Sequence, residues 1–471
     1  MTQGKKIIGS VVLATLLTLG TTGCGGGGGS DATPTTQTQS ISAAQKTAAL
    51  TTYADIALAN YTQAHTDAIA LQSAVKAFTD APTDETLAAA KAAWKTARES
   101  YGTTEAFRLS NGPIDAESGF GASWDAPEGQ LNAWPLNESM IDYTQVQSSA
   151  SVTGGNIIDG EGNFTSFTHP NGTDTIGLGE DGNATIDITT INTALLEEFT
   201  AVDGDANVAS GYHAVEFLLW GQDQDYNDPV ADTITNGANK AGERPVSDYL
   251  TGNDASGNDN HVRRIAYINA AADLIVADLA KVKEAWSAGA GSYREAILGG
   301  GTNAINADTA IRQIFTGMGV FIKSELANER IAVAVQDPSE EDEHSCFSDN
   351  THRDIDRNYQ GFKNILKGQY LGASQGTSFY SLASAAHKAE IDALLNALDT
   401  KVAAINAAAT TGATHFDTQI KVGNEYKQNI IDTYRQMRDV GDAMVAIAGD
   451  YGISLTTDDV TDSEESAQGQ N

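Results

Sequence analysis

Basic residues are scarce in this chain of 471 residues, which has 28 lysines and arginines, 62 aspartates and glutamates, and a formal net charge of −34. A nucleic-acid partner is not expected, because phosphate binding needs a basic patch. The acidic balance is typical of a soluble surface or of one that attracts cations. Proline is also rare, with 9 residues, and this scarcity favours helix throughout.

Cysteine is nearly absent, and the first of the two, Cys24, follows an N-terminal targeting segment. Lys5 and Lys6 form a basic start, and the apolar residues 7–19 are too short for a permanent membrane span. Residues 21–24 resemble a bacterial lipobox, although Thr21 stands where leucine is usual. We therefore expect residues 1–24 to be a lipoprotein signal peptide, with lipid attached at Cys24 as the membrane anchor.

Gly25, which follows the cysteine, resembles the residue that sorts lipoproteins to the outer membrane. We expect a protein of the bacterial cell envelope, facing the periplasm or the surface. With Cys24 acylated, no disulfide within the chain is possible. Cys346 is then expected to be a small buried thiol rather than a metal ligand, since thiolates suit softer metals.

The remaining sequence predicts an all-α fold. Apolar residues repeat at spacings of three and four, as in Ile265, Ile268 and Ala272, and roughly eight long helices result. We predict two packed helical bundles within residues 46–455. Residues 25–45 form a flexible tether, residues 144–185 a loop-rich insertion, and residues 456–471 an acidic disordered tail.

Residues 210–223, SGYHAVEFLLWGQD, place two ionisable side chains in an apolar run. His213 and Glu216 are three residues apart and therefore share one face of a helix. Burying them is costly unless each has a partner or a metal. Gly211 removes a side chain at a point where another backbone or a ligand could approach.

This run resembles the G-x-H-x-x-E signature of the imelysin family, which includes the iron-regulated protein A group. Four further segments support the resemblance: WKTARESYGTTEAFR at 94–108, NAWPLNES at 132–139, GERPVSDY at 242–249 and HSCFSDNTHRDIDRN at 344–358. The resemblance implies two bundle-like halves with a site between them.

One imidazole with several carboxylates suits iron or another borderline-to-hard cation. We favour iron, with zinc or another divalent ion as the alternative. His213 and Glu216 are the leading candidate ligands, and Glu105, Glu329 and Asp354 are further candidates. The residues expected around the pocket are Gly211, Arg108, Trp134, Pro135, Arg244, Asp248, Ser348, Asp349, Asn350 and His352.

Two functions compete. The resemblance implies a metallopeptidase, in which Glu216 would be the catalytic residue. The sequence lacks the His-Glu-x-x-His motif that gives zinc peptidases two ligands and a base. We therefore favour a metal-binding envelope protein of iron uptake or iron-regulated metabolism, with an iron-uptake protein as partner. A hydrogen-bonded core pair of His213 and Glu216 without an ion stays the third interpretation.

Overall fold

The computed structural model describes residues 40–146, 151–169, 172–179, 181–203, 207–223, 241–336 and 342–462. The chain divides into two units, Met1–Gln39 and Ser40–Asn471. The predicted signal peptide, Cys24 and most of the tether therefore lie outside the described residues. In the part of the chain that is described, no helix combines the length and the apolar character needed to cross a membrane.

Helices dominate the described chain, because their apolar faces repeat at helical spacing and bury against one another. The first one begins at a capping box, in which the Ser42 side chain accepts a hydrogen bond from the backbone N–H of Gln45. The α-helices are Ala43–Asp80, Asp84–Gly102, Glu128–Leu131, Glu138–Ile141, Thr193–Asp203, Gly211–Trp220, His261–Trp286, Tyr293–Ile297, Ala307–Val320, Val333–Gln336, Thr351–Lys367, Phe379–Leu382, Ala385–Thr410, Phe416–Ile420 and Lys427–Asp450.

The long helices pack in two groups, and this arrangement confirms the predicted all-α fold of two bundles. Helix Thr351–Lys367 also packs against Asp84–Gly102 and so joins the groups. The first group contains Ala43–Asp80, Asp84–Gly102, Gly211–Trp220 and His261–Trp286. The second contains Ala307–Val320, Phe321–Ala332, Thr351–Lys367, Ala385–Thr410 and Lys427–Asp450.

One segment of the second group is a π-helix, Phe321–Ala332, which continues from Ala307–Val320 into Val333–Gln336. The sequence predicts a continuous helix here but not its π character. Hydrogen bonds of a π-helix run to the fifth residue along the chain, so residues five apart come together. Glu325 Oε1 accordingly lies 2.6 Å from a terminal nitrogen of Arg330.

The insertion contains short antiparallel strands and buried apolar side chains. Asn163–Phe164 pairs with Ile186–Asp187, which lies just after the insertion. Ser166–Thr168 pairs with Thr175–Gly177, with Phe167 opposite Ile176. A further hairpin outside the insertion, Gln369–Tyr370 with Ala373–Ser374, was not predicted. Its strands are too short to give an alternating pattern.

The last described residues are packed rather than extended. Asp458–Val460 is a 3₁₀ helix, and the Val460 side chain is fully buried beside Gly319. The backbone N–H of Asp462 donates to Ser324 Oγ at 3.0 Å. The fold therefore extends to residue 462, beyond the start of the predicted tail at 456.

Candidate functional site

The helix Gly211–Trp220, here called the signature helix, is buried along its whole length. Gly211 has φ of +77°, and a Cβ there would lie 2.4 Å from the carbonyl oxygen of Leu131. Only glycine permits both the backbone conformation and this close approach. Trp94 Nε1 donates to the carbonyl oxygen of Tyr212 at 2.9 Å and ties the helix to Asp84–Gly102.

His213 and Glu216 are in contact inside this helix. His213 Nδ1 lies 3.1 Å from Glu216 Oε2, and both side chains are completely buried. Glu216 Oε1 accepts hydrogen bonds from the backbone N–H and the hydroxyl of Ser348, at 3.1 and 2.6 Å. The remaining polar atom of the pair, His213 Nε2, is buried without a hydrogen-bond partner.

Burial sets the charge of this pair. It raises the pKa of Glu216 to about 8. Burial, reinforced by the nearby Arg98 guanidinium, holds the pKa of His213 well below its ordinary value. The imidazole is therefore neutral near pH 7, which is the form that coordinates metals. Glu216 is mostly protonated at that pH, and a cation bound at His213 would favour its ionised form.

A second histidine–carboxylate pair lies beside the first. His344 Nδ1 is 2.8 Å from Asp354 Oδ2, and the His344 and His213 ring centroids are 4.9 Å apart. The same Asp354 oxygen accepts from Arg98 at 2.9 Å and from the Ser345 hydroxyl at 2.5 Å. Two imidazoles thus meet, each with its Nδ1 against a carboxylate.

The electrostatics of the second pair follow from these contacts. Burial lowers the pKa of His344 to about 4. Burial opposes ionisation of Asp354, but Arg98 and His344 outweigh it and hold the pKa of Asp354 well below its usual range. Asp354 is therefore an ionised partner of Arg98, and its Oδ2 is fully used in hydrogen bonds.

Glu105 is likewise engaged by arginines. It is ion-paired with Arg330, and its Oε2 lies 3.4 Å from Arg108 Nη1. Both arginines also bind Glu325, at 2.6 Å and 2.8 Å respectively. Burial opposes ionisation of Glu105, but Arg330 and Arg108 outweigh it and keep its pKa below the ordinary value. These carboxylates neutralise the arginines.

A cavity of about 460 Å³ lies beside His344. The Trp134 ring packs against His213, with 4.7 Å between centroids, and stands 6.3 Å from His344. Trp134 therefore separates the buried His213 from the open space. Glu329 also lines the cavity. The other wall residues include Arg108, Glu128, Asn132, Trp134, Pro135, Glu325, Arg330 and His344.

Other predicted pocket residues lie elsewhere. Arg244 and Asp248 belong to a separate ion network around Asp142. None of these three lines the cavity.

Three more predicted pocket residues lie near the start of Thr351–Lys367 and also outside the cavity wall: Asp349, Asn350 and His352. Asn350 is the residue before this helix. Asp349 is hydrogen-bonded to His415, and the His352 ring stacks on the His415 ring with 6.3 Å between their centroids. Within the polar segment Ser345–Asp356, Ser348 contacts the signature pair through its hydrogen bonds to Glu216.

The sequence reasoning missed Arg98, Asn132, Arg330 and His344. Arg98 had a usable signal: it lies four residues after Trp94 and three before Tyr101, on the buried face of its helix. An arginine on an apolar face indicates a buried ion pair. His344 had no comparable signal, because only the tertiary fold brings it to His213.

The donor set fits a metal only in part. Within the described ranges, no group of three His, Cys, Asp or Glu side chains could hold an ion. His213 does fit, because its Nε2 is buried without a partner while Nδ1 is held by a carboxylate. Metal-bound histidines commonly have this arrangement, in which the carboxylate orients the ring and does not itself coordinate.

Comparison with known proteins identifies the family. The imelysin family model matches residues 57–443, and the chain therefore belongs to the imelysin family. No curated protein matches it.

Two solved structures share the fold. A structure described as an iron-regulated protein A precursor from Parabacteroides distasonis is 17% identical, with a TM-score of 0.56, covering 87% of this chain and 96% of that chain. An imelysin-like protein from Psychrobacter arcticum is 14% identical, with a TM-score of 0.51, covering 88% of this chain and 98% of that chain.

Proposed function

We propose that this imelysin-family chain is a lipid-anchored cell-envelope protein that binds a metal ion at His213 and acts in iron uptake or iron-regulated metabolism. The observation that supports it best is the buried, unpartnered Nε2 of His213, with Nδ1 3.1 Å from Glu216. Iron is the favoured cargo, and zinc or another divalent ion is the alternative. Cys24 supplies the anchor, and an iron-uptake protein is the expected partner.

In this proposal His213 is the ligand and Glu216 is its positioning residue. Ser348 fixes Glu216 through two hydrogen bonds, so the carboxylate can keep the imidazole oriented. His344 supplies a neighbouring imidazole, which Asp354 orients in the same way. Such carboxylate partners strengthen the basicity of the ligand nitrogen.

The buried arginines are compatible with a bound cation because carboxylates neutralise them. Arg98 is paired with Asp354, and Arg330 with Glu105 and Glu325. An uncompensated guanidinium in a low-dielectric site would repel a metal strongly. The pairing removes most of that repulsion.

The alternative, a metallopeptidase, has less support from the geometry. A general base needs a carboxylate oxygen within hydrogen-bond reach of the attacking water. Glu216 Oε2 lies against His213, and Oε1 accepts both hydrogen bonds from Ser348. A binding protein requires no such oxygen, and one structural relative is described as iron-regulated.

A thermal-shift series with ferrous iron under nitrogen, zinc, copper, manganese and calcium tests metal binding. An ion that binds the folded state at 100 times its Kd stabilises it by about 2.7 kcal/mol and raises Tm. His213→Ala should abolish that rise. His387→Ala is the matched control, because His387 is also paired with a carboxylate, Asp450, at 2.9 Å.

The metal proposal fails if no ion shifts the wild type or if His387→Ala abolishes the shift equally. Cleavage of an unfolded substrate that Glu216→Gln removes, with the fold intact, would favour the peptidase instead. Fractionation tests the anchor separately: Cys24→Ser should leave an unacylated precursor. Wild-type protein that is processed at another position and released from the membrane would contradict the anchor.

A further inference from the structure

The cavity beside His344 has the size of a small-molecule site. Its volume of about 460 Å³ falls in the range of ~300–1,000 Å³ that is typical of sites for small organic ligands. Its wall does not include His213, and in the described ranges no three His, Cys, Asp or Glu side chains could hold an ion. The cavity is therefore better suited to an organic molecule than to a bare ion, whether or not a metal binds at His213.

The wall of this cavity is mostly polar. Of its described residues, all but Ala133, Trp134, Pro135 and Val333 have charged or polar side chains. Sites for apolar ligands are instead lined predominantly by hydrophobic and aromatic side chains. The composition of the wall indicates a ligand that is rich in polar groups.

Two residues of the described wall carry buried hydrogen-bond donors without acceptors. These donors are the indole Nε1 of Trp134 and the guanidinium Nε of Arg108. A buried donor without an acceptor costs free energy that a ligand oxygen recovers. Both donors therefore require an oxygen atom with lone pairs.

The same wall carries acceptors that lack a donor. Glu128 Oε1 is buried without a hydrogen-bond partner, although it lies 3.3 Å from Arg108 Nη2. The contact between His344 Nδ1 and Asp354 occupies one ring nitrogen and leaves Nε2 for a ligand. Because burial lowers the pKa of His344 to about 4, the ring is neutral near pH 7. With its proton on Nδ1, against the ionised Asp354, the ring has a lone pair on Nε2.

Donors and acceptors on one wall indicate hydroxyl groups on the ligand. A hydroxyl accepts and donates through one oxygen, so it matches both Arg108 Nε and Glu128 Oε1. An ammonium group matches the acceptors alone, and a carboxylate matches the donors alone. A ligand with several hydroxyl groups satisfies both sets.

The charges of the wall disfavour an anion. The carboxylic acids of the described wall outnumber its two arginines, Arg108 and Arg330. Both arginines already contact Glu325, at 2.8 and 2.6 Å respectively. A wall with this charge distribution repels a negatively charged ligand.

We propose that this cavity binds a small, uncharged polyhydroxy compound of the size of a sugar. Its hydroxyl oxygens accept hydrogen bonds from Trp134 Nε1 and Arg108 Nε. Its hydroxyl groups donate to Glu128 Oε1 and His344 Nε2. This site is separate from the proposed metal position at His213, and its occupation does not require the metal.

Calorimetric titration of the full chain in a buffer with EDTA tests this proposal in the absence of metal. The probes are the neutral sugars glucose, galactose, N-acetylglucosamine and sucrose, with glucuronate and glucosamine as charged counterparts. At least one neutral sugar should bind with a Kd of about 1 mM or lower. The proposal is overturned if no neutral sugar binds at that level, or if either charged sugar binds more tightly than the best neutral one.

Three variants test whether the sugar occupies this cavity. Trp134→Phe keeps an aromatic ring, removes the indole donor and should weaken binding about tenfold, which corresponds to about 1.4 kcal/mol. Trp124→Phe is the matched control, because Trp124 Nε1 is also buried and unpartnered but lies outside the cavity wall. Val333→Phe adds bulk to the wall without removing a polar group and should abolish binding.

Unchanged affinity in Val333→Phe, or equal affinities in Trp134→Phe and Trp124→Phe, would overturn the proposed site. The metal proposal is judged by the thermal-shift series with ions, so each proposal can fail while the other stands.

Discussion

Two buried ion networks in this protein differ in how fully their polar atoms are used. In the Asp142 network, Asp142 Oδ2 accepts from Arg244 and Arg264 at 2.7 Å each. Arg264 also binds the carbonyl oxygen of Asp248 and the carboxylate of Asp254, each at 2.7 Å. Among the buried side-chain nitrogens and oxygens of these five residues, Arg244 Nε alone has no hydrogen-bond partner.

The network around His213 is less complete. His213 Nε2, Arg98 Nε and Glu105 Oε1 are all buried without hydrogen-bond partners. This network adjoins the cavity, whereas the Asp142 network joins the end of the helix Glu138–Ile141 to the helix His261–Trp286. Buried polar groups without hydrogen-bond partners lower the stability of the fold. Their concentration beside the cavity is what a ligand-binding site would require.

The comparison is tested most strongly by breaking the Asp142 network. Arg264→Met leaves Asp142 and Asp254 without their main partner, and removing one member of a buried ion pair costs roughly 3–5 kcal/mol. Urea unfolding should report this loss. Lys76→Met is the control, since the Lys76–Asp80 pair is exposed and should contribute less than about 1 kcal/mol. Equal losses in both variants would mean that the Asp142 network contributes no special stability.

The next largest loss of stability is expected where the signature helix begins, at Gly211. Gly211→Ala forces a side chain into a left-handed conformation, which costs roughly 1–3 kcal/mol, and adds a clash with Leu131. Gly452→Ala is the control, because Gly452 has φ of +75° but nothing within 4 Å of the added Cβ. Urea unfolding should show a larger loss for Gly211→Ala. Similar losses would show that the backbone near Leu131 moves aside freely.

The two networks should change the stability with pH in opposite directions. Glu128 belongs to the network around His213 and Glu105, because it lies 3.3 Å from Arg108, which also contacts Glu105. Burial raises the pKa of Glu128 from 4.5 to about 7. A carboxyl group whose pKa is higher in the folded state stabilises the fold below pH 4.5 and loses that contribution as the pH rises through 7. At about 1.4 kcal/mol per pKa unit, the loss is roughly 3 kcal/mol. Urea unfolding across this window should show a smaller loss for Glu128→Gln than for wild type.

At Asp142 the stability of the fold should depend on pH in the opposite direction. Burial opposes its ionisation, but Arg244 and Arg264 outweigh burial and lower its pKa. Its contribution is present above the unfolded value near 3.8 and is lost as the pH falls below it. Asp142→Asn should therefore reduce the loss of stability in acid. Parallel pH profiles for the Asp142 and Glu128 variants would remove this distinction between the networks.

The smallest expected effect is the reaction of the Cys346 thiol in the native protein. The residue is 5% exposed, and burial, followed by the neighbouring Glu216, raises the pKa of its thiol well above the ordinary value. A thiol in this state is protonated and unreactive. Peptide mass mapping after treatment with a thiol reagent should find Cys346 unlabelled in the native protein and labelled in urea. Rapid native labelling would show that the turn around Ser348 opens readily.

The signature pair could be predicted from the sequence because its geometry is local. His213 and Glu216 lie within one helical turn, and that spacing alone brings them to one face. The partners of the pair are not local: Ser348 and His344 reach it from the other half of the sequence. The family-like segment around Arg244 predicts a pocket residue, but the remote Asp142 determines where Arg244 lies.

The contacts of Glu105 and Glu325 with Arg108 and Arg330 could not be predicted from the sequence, for a different reason. Glu325 and Glu329 are four residues apart, a spacing that predicts one shared face of an α-helix. In the π-helix, Glu325 instead meets Arg330, five residues on. The apolar periodicity of the segment gives no indication of this change in hydrogen bonding, so Arg330 could not be placed beside Glu105 from sequence.

The π-helix Phe321–Ala332 also has a consequence for length variation in this part of the chain. A π-helical turn accommodates a residue more than an α-helical turn, as if one had been inserted. Deleting one residue here should let the backbone return to α-helical bonding, whereas most deletions within helices disrupt packing. A deletion between Glu325 and Arg330 would leave these residues four apart, which is the spacing of neighbours on an α-helix, so their ion pair should survive. Shortened chains should therefore remain folded and keep this part of the cavity wall.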